Sequence, residues 1–160
     1  MRITIIAVGK MKSGPERELV ERYLSRARAS GKNLGLKGFE VIELGESRAR
    51  SAPARKAEEA KDIFNALGPN ASYIALDETG NSQTSEKFAR QIAQSNDTGD
   101  KNLCFIIGGA DGLDPSISKQ AKRILNFSTL TWPHQIVRIL LAEQLYRMTT
   151  ILSGHPYHRQ

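Results

Sequence analysis

Short runs of β-branched and other apolar residues alternate along this chain with longer stretches whose apolar positions recur every three or four residues, a pattern that predicts strands separated by helices. Arg2 to Val8, with Ile3, Ile5 and Ile6, reads as a first strand, followed by the turn residues Ser13, Gly14 and Pro15. Glu16 to Ala29 places Leu19, Tyr23 and Ala27 on one helical face. A second strand is predicted at Phe39 to Leu44, and a second helix at Ala54 to Leu67 that Gly68 and Pro69 stop. Ser72 to Leu76 reads as a third strand ending in the polar turn Asp77, Glu78, Thr79, Gly80, and Ser85 to Ser95 as a third helix. Leu103 to Ile107 is unbroken apolar sequence, as expected of a central strand covered on both faces. Asp114 caps a short helix opening on Pro115, and Phe127 to Leu130 reads as a brief strand before a long helix from Pro133 to Leu152. The order predicts one α/β domain over residues 1–160, a mostly parallel sheet flanked by helices.

The long helix is too apolar for a surface element. Ile136, Val137, Leu140, Leu141, Leu145, Met148, Ile151 and Leu152 cover about half of its circumference, and Ile139 lies beyond that arc. Glu143 and Arg147, four residues apart, fall inside the apolar sector and are placed to pair. Such a pair is either functional or the mark of an interface between two copies of the chain.

Composition narrows the classes. At 160 residues, 39% hydrophobic and 25% charged, the chain has the make-up of an ordinary globular domain. No apolar run approaches a membrane span, and the start is too short and strand-like for a signal peptide. With the single Cys104 these features point to the cytoplasm. A net charge of +6 suggests an acidic partner such as RNA or DNA. The excess is uneven: residues 1–62 hold 14 Lys and Arg against 9 Asp and Glu, and the remainder 9 against 8. Arg48, Arg50, Arg55, Lys56 and Lys61 form a basic segment leading into a helix.

The turn after the apolar strand, Gly108-Gly109-Ala110-Asp111-Gly112, matches neither the dinucleotide fingerprint nor a phosphate-binding P-loop. Its paired glycines leave room for a ligand near the backbone or serve a tight turn. Cys104 reads as a small core residue, and one Cys with His155 and His158 gives too few ligands for zinc, so no metal is expected. His134 reads as a structural or loop contact, and Trp132 as packing beside the glycine turn's cleft.

Several separated blocks resemble one family. The segment from Phe105 to Leu113, that from Asn126 to Arg147, and the closing His155-Pro156-Tyr157-His158-Arg159 are similar to the small SPOUT methyltransferases that act on pseudouridine in 23S ribosomal RNA. The Ala7 to Lys10 segment and the Leu76 to Gly80 turn match as well. The resemblance implies a SPOUT-type α/β fold with a C-terminal trefoil knot, a homodimer, and S-adenosylmethionine as methyl donor. It implies methylation of a pseudouridine ring nitrogen, position 3, in 23S rRNA on the assembled ribosome. Carried over by position, Leu76, Gly108, Gly109 and the run Asn126, Phe127, Ser128, Thr129, Leu130, Thr131 and Trp132 form the cofactor cleft.

For the implied chemistry, the ring nitrogen must lose a proton and the charge left on the base gains from a nearby cation. Imidazole is the side chain suited to proton transfer near neutrality, which makes His158 the candidate acceptor. Arg159 is the candidate phosphate or base contact, Tyr157 a stacking surface, and Glu143 a further catalytic candidate. The alternative is a noncatalytic RNA-binding or ribosome-associated factor with the same fold. A hydrolase would require a metal-binding cluster drawn from Asp77, Glu78, Asp111 and Asp114.

Overall fold

The structure is a computed structural model and describes residues 1–158. Arg159 therefore lies outside the described residues. Five strands, β1 (Arg2–Val8), β2 (Lys37–Leu44), β3 (Ser72–Asn81), β4 (Asn102–Ile107) and β5 (Arg123–Leu125), form one sheet in the order β2-β1-β4-β3-β5, and every pairing is parallel. The helices are α1 (Pro15–Gly31), α2 (Ala52–Ala66), α3 (Ser85–Asp97), α4 (Pro115–Gln120) and α5 (His134–Leu152).

Alternation along β1 splits the core in two. Ile3, Ile5 and Ala7 face a layer of α1, α3 and α5, whereas Ile6 and Val8 face α2 and α4. β1 and β4, the central strands, are buried almost throughout, which explains their unbroken apolar character. On α1 the buried residues are Val20, Leu24 and Ala27, so the core face runs one residue later than Leu19 and Tyr23. The caps follow the local chemistry: the Ser51, Thr84 and Asp114 side chains each accept from a backbone N–H in the first turn of α2, α3 and α4.

Two expectations are corrected near the carboxyl ends of the strands. The fifth strand is Arg123–Leu125, and Phe127 to Leu130 is irregular. The strand stops there because the Asn126 side chain turns the chain: its amide donates to Glu78 O at 2.9 Å and its carbonyl accepts from Ser128 N at 2.8 Å. β3 extends past Leu76, resuming at Asn81 opposite Leu125 after a break in register. The polar turn survives inside that irregularity, since Asp77 Oδ1 accepts from Thr79 N at 2.9 Å and Thr79 Oγ1 at 2.6 Å.

On α5, Leu141, Leu145 and Met148 are buried together with Arg138, Ala142, Thr149 and Thr150. Ile136, Ile139 and Leu140 remain only half-buried. One chain thus covers part of the apolar surface that the helix carries. Among the described residues no helix is long and apolar enough to cross a membrane.

Candidate functional site

Parallel strands of an α/β sheet present their loops together at the carboxyl ends, the usual place for a site. Here a cleft of about 1110 Å³ opens beyond β3, β4 and β5. Leu76, Ile107 and Leu125, the terminal apolar residues of those strands, form its floor, and Leu113 and Val137 extend the apolar surface. Of the residues carried over from the resemblance, Gly108, Gly109, Asn126, Phe127, Ser128, Leu130, Thr131 and Trp132 also line it; Thr129 is in the same segment but not in the wall.

The glycine turn is tight for internal reasons. A Cβ on Gly108 would lie 2.9 Å from the carbonyl carbon of Gly112, and Gly112 takes a φ of 81°. Gly112 N donates to Gly109 O at 3.1 Å, closing the turn. Of the two uses open to these glycines, the turn's own geometry is the one seen.

Across the cleft, Asn126 anchors the 126–130 loop, and Ser128 Oγ accepts from Leu130 N at 3.0 Å to continue it. That loop leaves Leu130 66% and Trp132 42% exposed. Trp132 thus lines the cleft at its rim and is only partly covered there. Exposed large apolar side chains lining a concavity suit a ligand or a partner surface.

Residues that pattern reading did not assign to the cleft hold its walls in place. Arg55 grips Asp111 with two hydrogen bonds, 2.6 Å and 3.0 Å, and also donates to Ala49 O. This pairing, led by its hydrogen bond, holds the Asp111 carboxyl below the ordinary carboxylate range. The basic segment is thereby tied to the glycine turn. Arg138, 1% exposed, donates to Glu43 Oε1 at 2.6 Å and to Gly9 O at 2.9 Å, fastening α5 to the end of β1. Burial depresses its guanidinium while Glu43 opposes that effect. Its place among apolar neighbours was the available signal, and the partner 95 residues earlier was not.

Three of the four carboxylates offered for metal binding are engaged otherwise, and Glu78 lines the cleft. Asp77 holds Thr79, Asp111 holds Arg55, and Asp114 caps α4. The Cys104 thiol is buried in β4, which pushes its pKa up to about 11 and makes it a poor nucleophile.

The second group of predicted residues assembles elsewhere. Arg147 Nη2 donates to Glu143 Oε1 at 2.6 Å, and Tyr157 Oη donates to the same oxygen at 3.1 Å. Arg147 also lies 5.0 Å from the Tyr157 ring centroid, and the rings of Tyr146 and Tyr157 are 4.6 Å apart. Burial, followed by the Glu143 charge, pushes the Tyr157 hydroxyl up to about 12, so it remains a donor. His158 Nε2 lies 2.6 Å from Glu86 Oε1, and its Nδ1 3.4 Å from Arg147 Nη1. None of these residues lines the cleft of its own chain. Glu143 stands roughly 9 Å farther along α5 than Val137, from the rise of a helix.

The chain's relatives fit this geometry. Residues 1–158 match a family model described as "Predicted SPOUT methyltransferase". The chain belongs to the SPOUT methyltransferase family. Proteins named ribosomal RNA large subunit methyltransferase H from Rhodopseudomonas palustris and Brucella anthropi are 52% and 54% identical to it, over 159 residues and 99% of both chains in each case. A crystal structure of a probable methyltransferase from Bordetella pertussis shares the fold, with a TM-score of 0.53 at 18% identity, covering 92% of this chain and 95% of that one. This SPOUT methyltransferase thus has the helix-flanked parallel sheet that its sequence predicts.

Proposed function

We propose that the chain uses S-adenosylmethionine to methylate N3 of a pseudouridine in 23S rRNA, acting on the assembled ribosome in the cytoplasm as a homodimer. The observation that carries this reading is the large strand-end cleft in a chain about half identical, end to end, to proteins named as rRNA methyltransferases.

The cleft suits such a donor. Leu76, Ile107, Leu113, Leu125 and Val137 offer an apolar bed for a purine, Leu130 and Trp132 stand ready at the rim, and the Asp77 and Glu78 side of the wall complements a cation. When bound, S-adenosylmethionine supplies an electrophilic methyl group. Displacement at such a carbon needs little covalent assistance, so placing the base nitrogen in line supplies much of the rate. Glu143 holds Arg147 where its charge can stabilise a deprotonated base, and Tyr157 presents a ring for stacking. His158 accepts the proton, and Arg159 supplies a phosphate or base contact.

The homodimer joins what a single chain separates. The half-buried Ile136, Ile139 and Leu140 and the exposed Leu130 and Trp132 supply apolar surface for a second copy, whose tail would complete the cleft. A C-terminal trefoil knot belongs to the same reading. It is supported by the close passage of the 77–81 loop over β5: a Cβ on Gly80 would meet the Ile124 backbone at 2.7 Å, and Asn126 N donates to Asn81 O at 3.2 Å.

Incubation with methyl-labelled S-adenosylmethionine and ribosomal particles at successive assembly stages tests the proposal. Label on one 23S pseudouridine of the assembled particle is expected. Tight RNA binding without donor binding would favour the noncatalytic factor instead.

A further inference from the structure

Glu86 occupies the first turn of α3, behind the Thr84 cap, and reaches out of its own helix to the tail. Its Oε1 lies 2.6 Å from His158 Nε2, while Arg147 on α5 approaches the other ring nitrogen at 3.4 Å. A guanidinium N–H requires a lone pair opposite it, so Nδ1 is the acceptor and Nε2 carries the hydrogen given to Glu86. One tautomer satisfies both neighbours. Through Arg147 the ring is joined to Glu143 on α5 and to Tyr157 in the tail, and Tyr23 of α1 lies near enough to act on Tyr157.

The carboxylate is well kept for this contact. The Thr84 hydroxyl, its own backbone N–H and His158 bring the Glu86 pKa down to about 2, so it stays charged wherever the protein works. The N-terminus of α3 adds a favourable dipole. Residues 153–156 have no regular structure beyond turns, and the Glu86 contact ties His158 to the body of the fold.

We propose that Glu86 is a positioning residue that fixes His158 in its Nε2–H tautomer and aims the basic Nδ1 toward the Glu143, Arg147 and Tyr157 cluster. This rests on the methyl-transfer reading above. The 3.4 Å Arg147 contact is long enough to yield to a substrate N–H. The proton of the base nitrogen would then pass to Nδ1, the electron pair left on that nitrogen would bond the methyl carbon as the carbon–sulfur bond of the donor's sulfonium breaks and its pair leaves on the neutral thioether, and the imidazolium would return its proton to water. Throughout, the Nε2–H remains on Glu86, as a carboxylate orients the histidine of a catalytic triad.

Full-length Glu86→Ala and Glu86→Gln variants test it. Glu86→Ala lowers kcat about ten- to hundredfold, the range for loss of an orienting partner, and leaves the donor Kd and the RNA KM within about twofold, as expected when only orientation is lost. Glu86→Gln, which keeps an acceptor but not the charge, recovers part of kcat and shifts the acidic limb of kcat/KM to lower pH. Imidazole NMR should show one tautomer in the wild type and a mixture in Glu86→Ala. Wild-type kcat and pH profile in Glu86→Ala, or an unchanged tautomer, would overturn the assignment. If the wild type itself transfers no methyl group, the activity reading fails, and the NMR experiment still decides the Glu86 contact.

Discussion

At the carboxyl ends of β3, β4 and β5 the cleft is shaped by turns whose bonds end on the main chain: a glycine turn closed on itself, a loop anchored by the Asn126 side chain and an Asx turn at Asp77. At the far end of α5 the tail cluster is shaped by side chains, with Glu143, Arg147, Tyr157, His158 and Glu86 in one connected network. A turn-built cleft keeps its form when surface side chains change, and suits a ligand common to many relatives. A side-chain network is adjustable, and suits the particular geometry of an RNA target. Under the proposed function, the difference assigns donor binding and RNA handling to separable parts of the chain, with α5 as the link.

The comparison breaks most severely at Gly108. A Gly108→Val substitution would drive side-chain carbons into Gly112, so donor affinity should fall at least a hundredfold by calorimetry while the tail network's histidine NMR signals persist. Equal losses at both places would show that they are not separate.

Arg138 comes next, because it supports the cleft from outside. Arg138→Ala leaves Gly9 O without this donor and Glu43 with Arg17 as its remaining ionic partner among the described residues. Breaking a buried ion pair costs about 3 kcal/mol or more, and denaturant unfolding should show a loss of that order, softened here because Arg17 remains. A loss below about 1 kcal/mol, the worth of a surface pair, would reduce Arg138 to a bystander.

Acid should produce a smaller, graded effect. Burial raises the Glu43 pKa, but the Met11 N–H and Arg17 outweigh it and bring the group below its ordinary 4.5. Glu86 falls from 4.5 to about 2. A carboxylate depressed in the folded state contributes stability above its unfolded pKa and loses it as pH falls through the folded value. The melting temperature should therefore decline from near pH 4.5 downward, and Glu43→Gln should flatten the upper part of that decline. A melting temperature insensitive to pH in this window would contradict the assignment of these contacts.

Much of this architecture could be read from residue patterns because it depends on local signals. Ile3, Ile5 and Ile6 mark a strand, and Asp114 with Pro115 marks a helix start whatever surrounds them. β5 escaped because Arg123–Leu125 is too short to show a period, and the apolar residues just beyond it belong to a loop held by Asn126. The cleft's wall was legible through the family resemblance, block by block. Its supports were not: Arg138 with Glu43, Arg55 with Asp111 and His158 with Glu86 are separated by 95, 56 and 72 residues, and no spacing rule links them.

The separation of cleft from tail is tested most directly by removing residues 155–160 and measuring both functions on the same preparation. Calorimetry with S-adenosylmethionine should give the wild-type Kd within about twofold, as expected for a distant and independent site, while methyl transfer to ribosomal particles disappears. Full transfer by the truncated protein, or loss of donor binding together with transfer, would contradict the account.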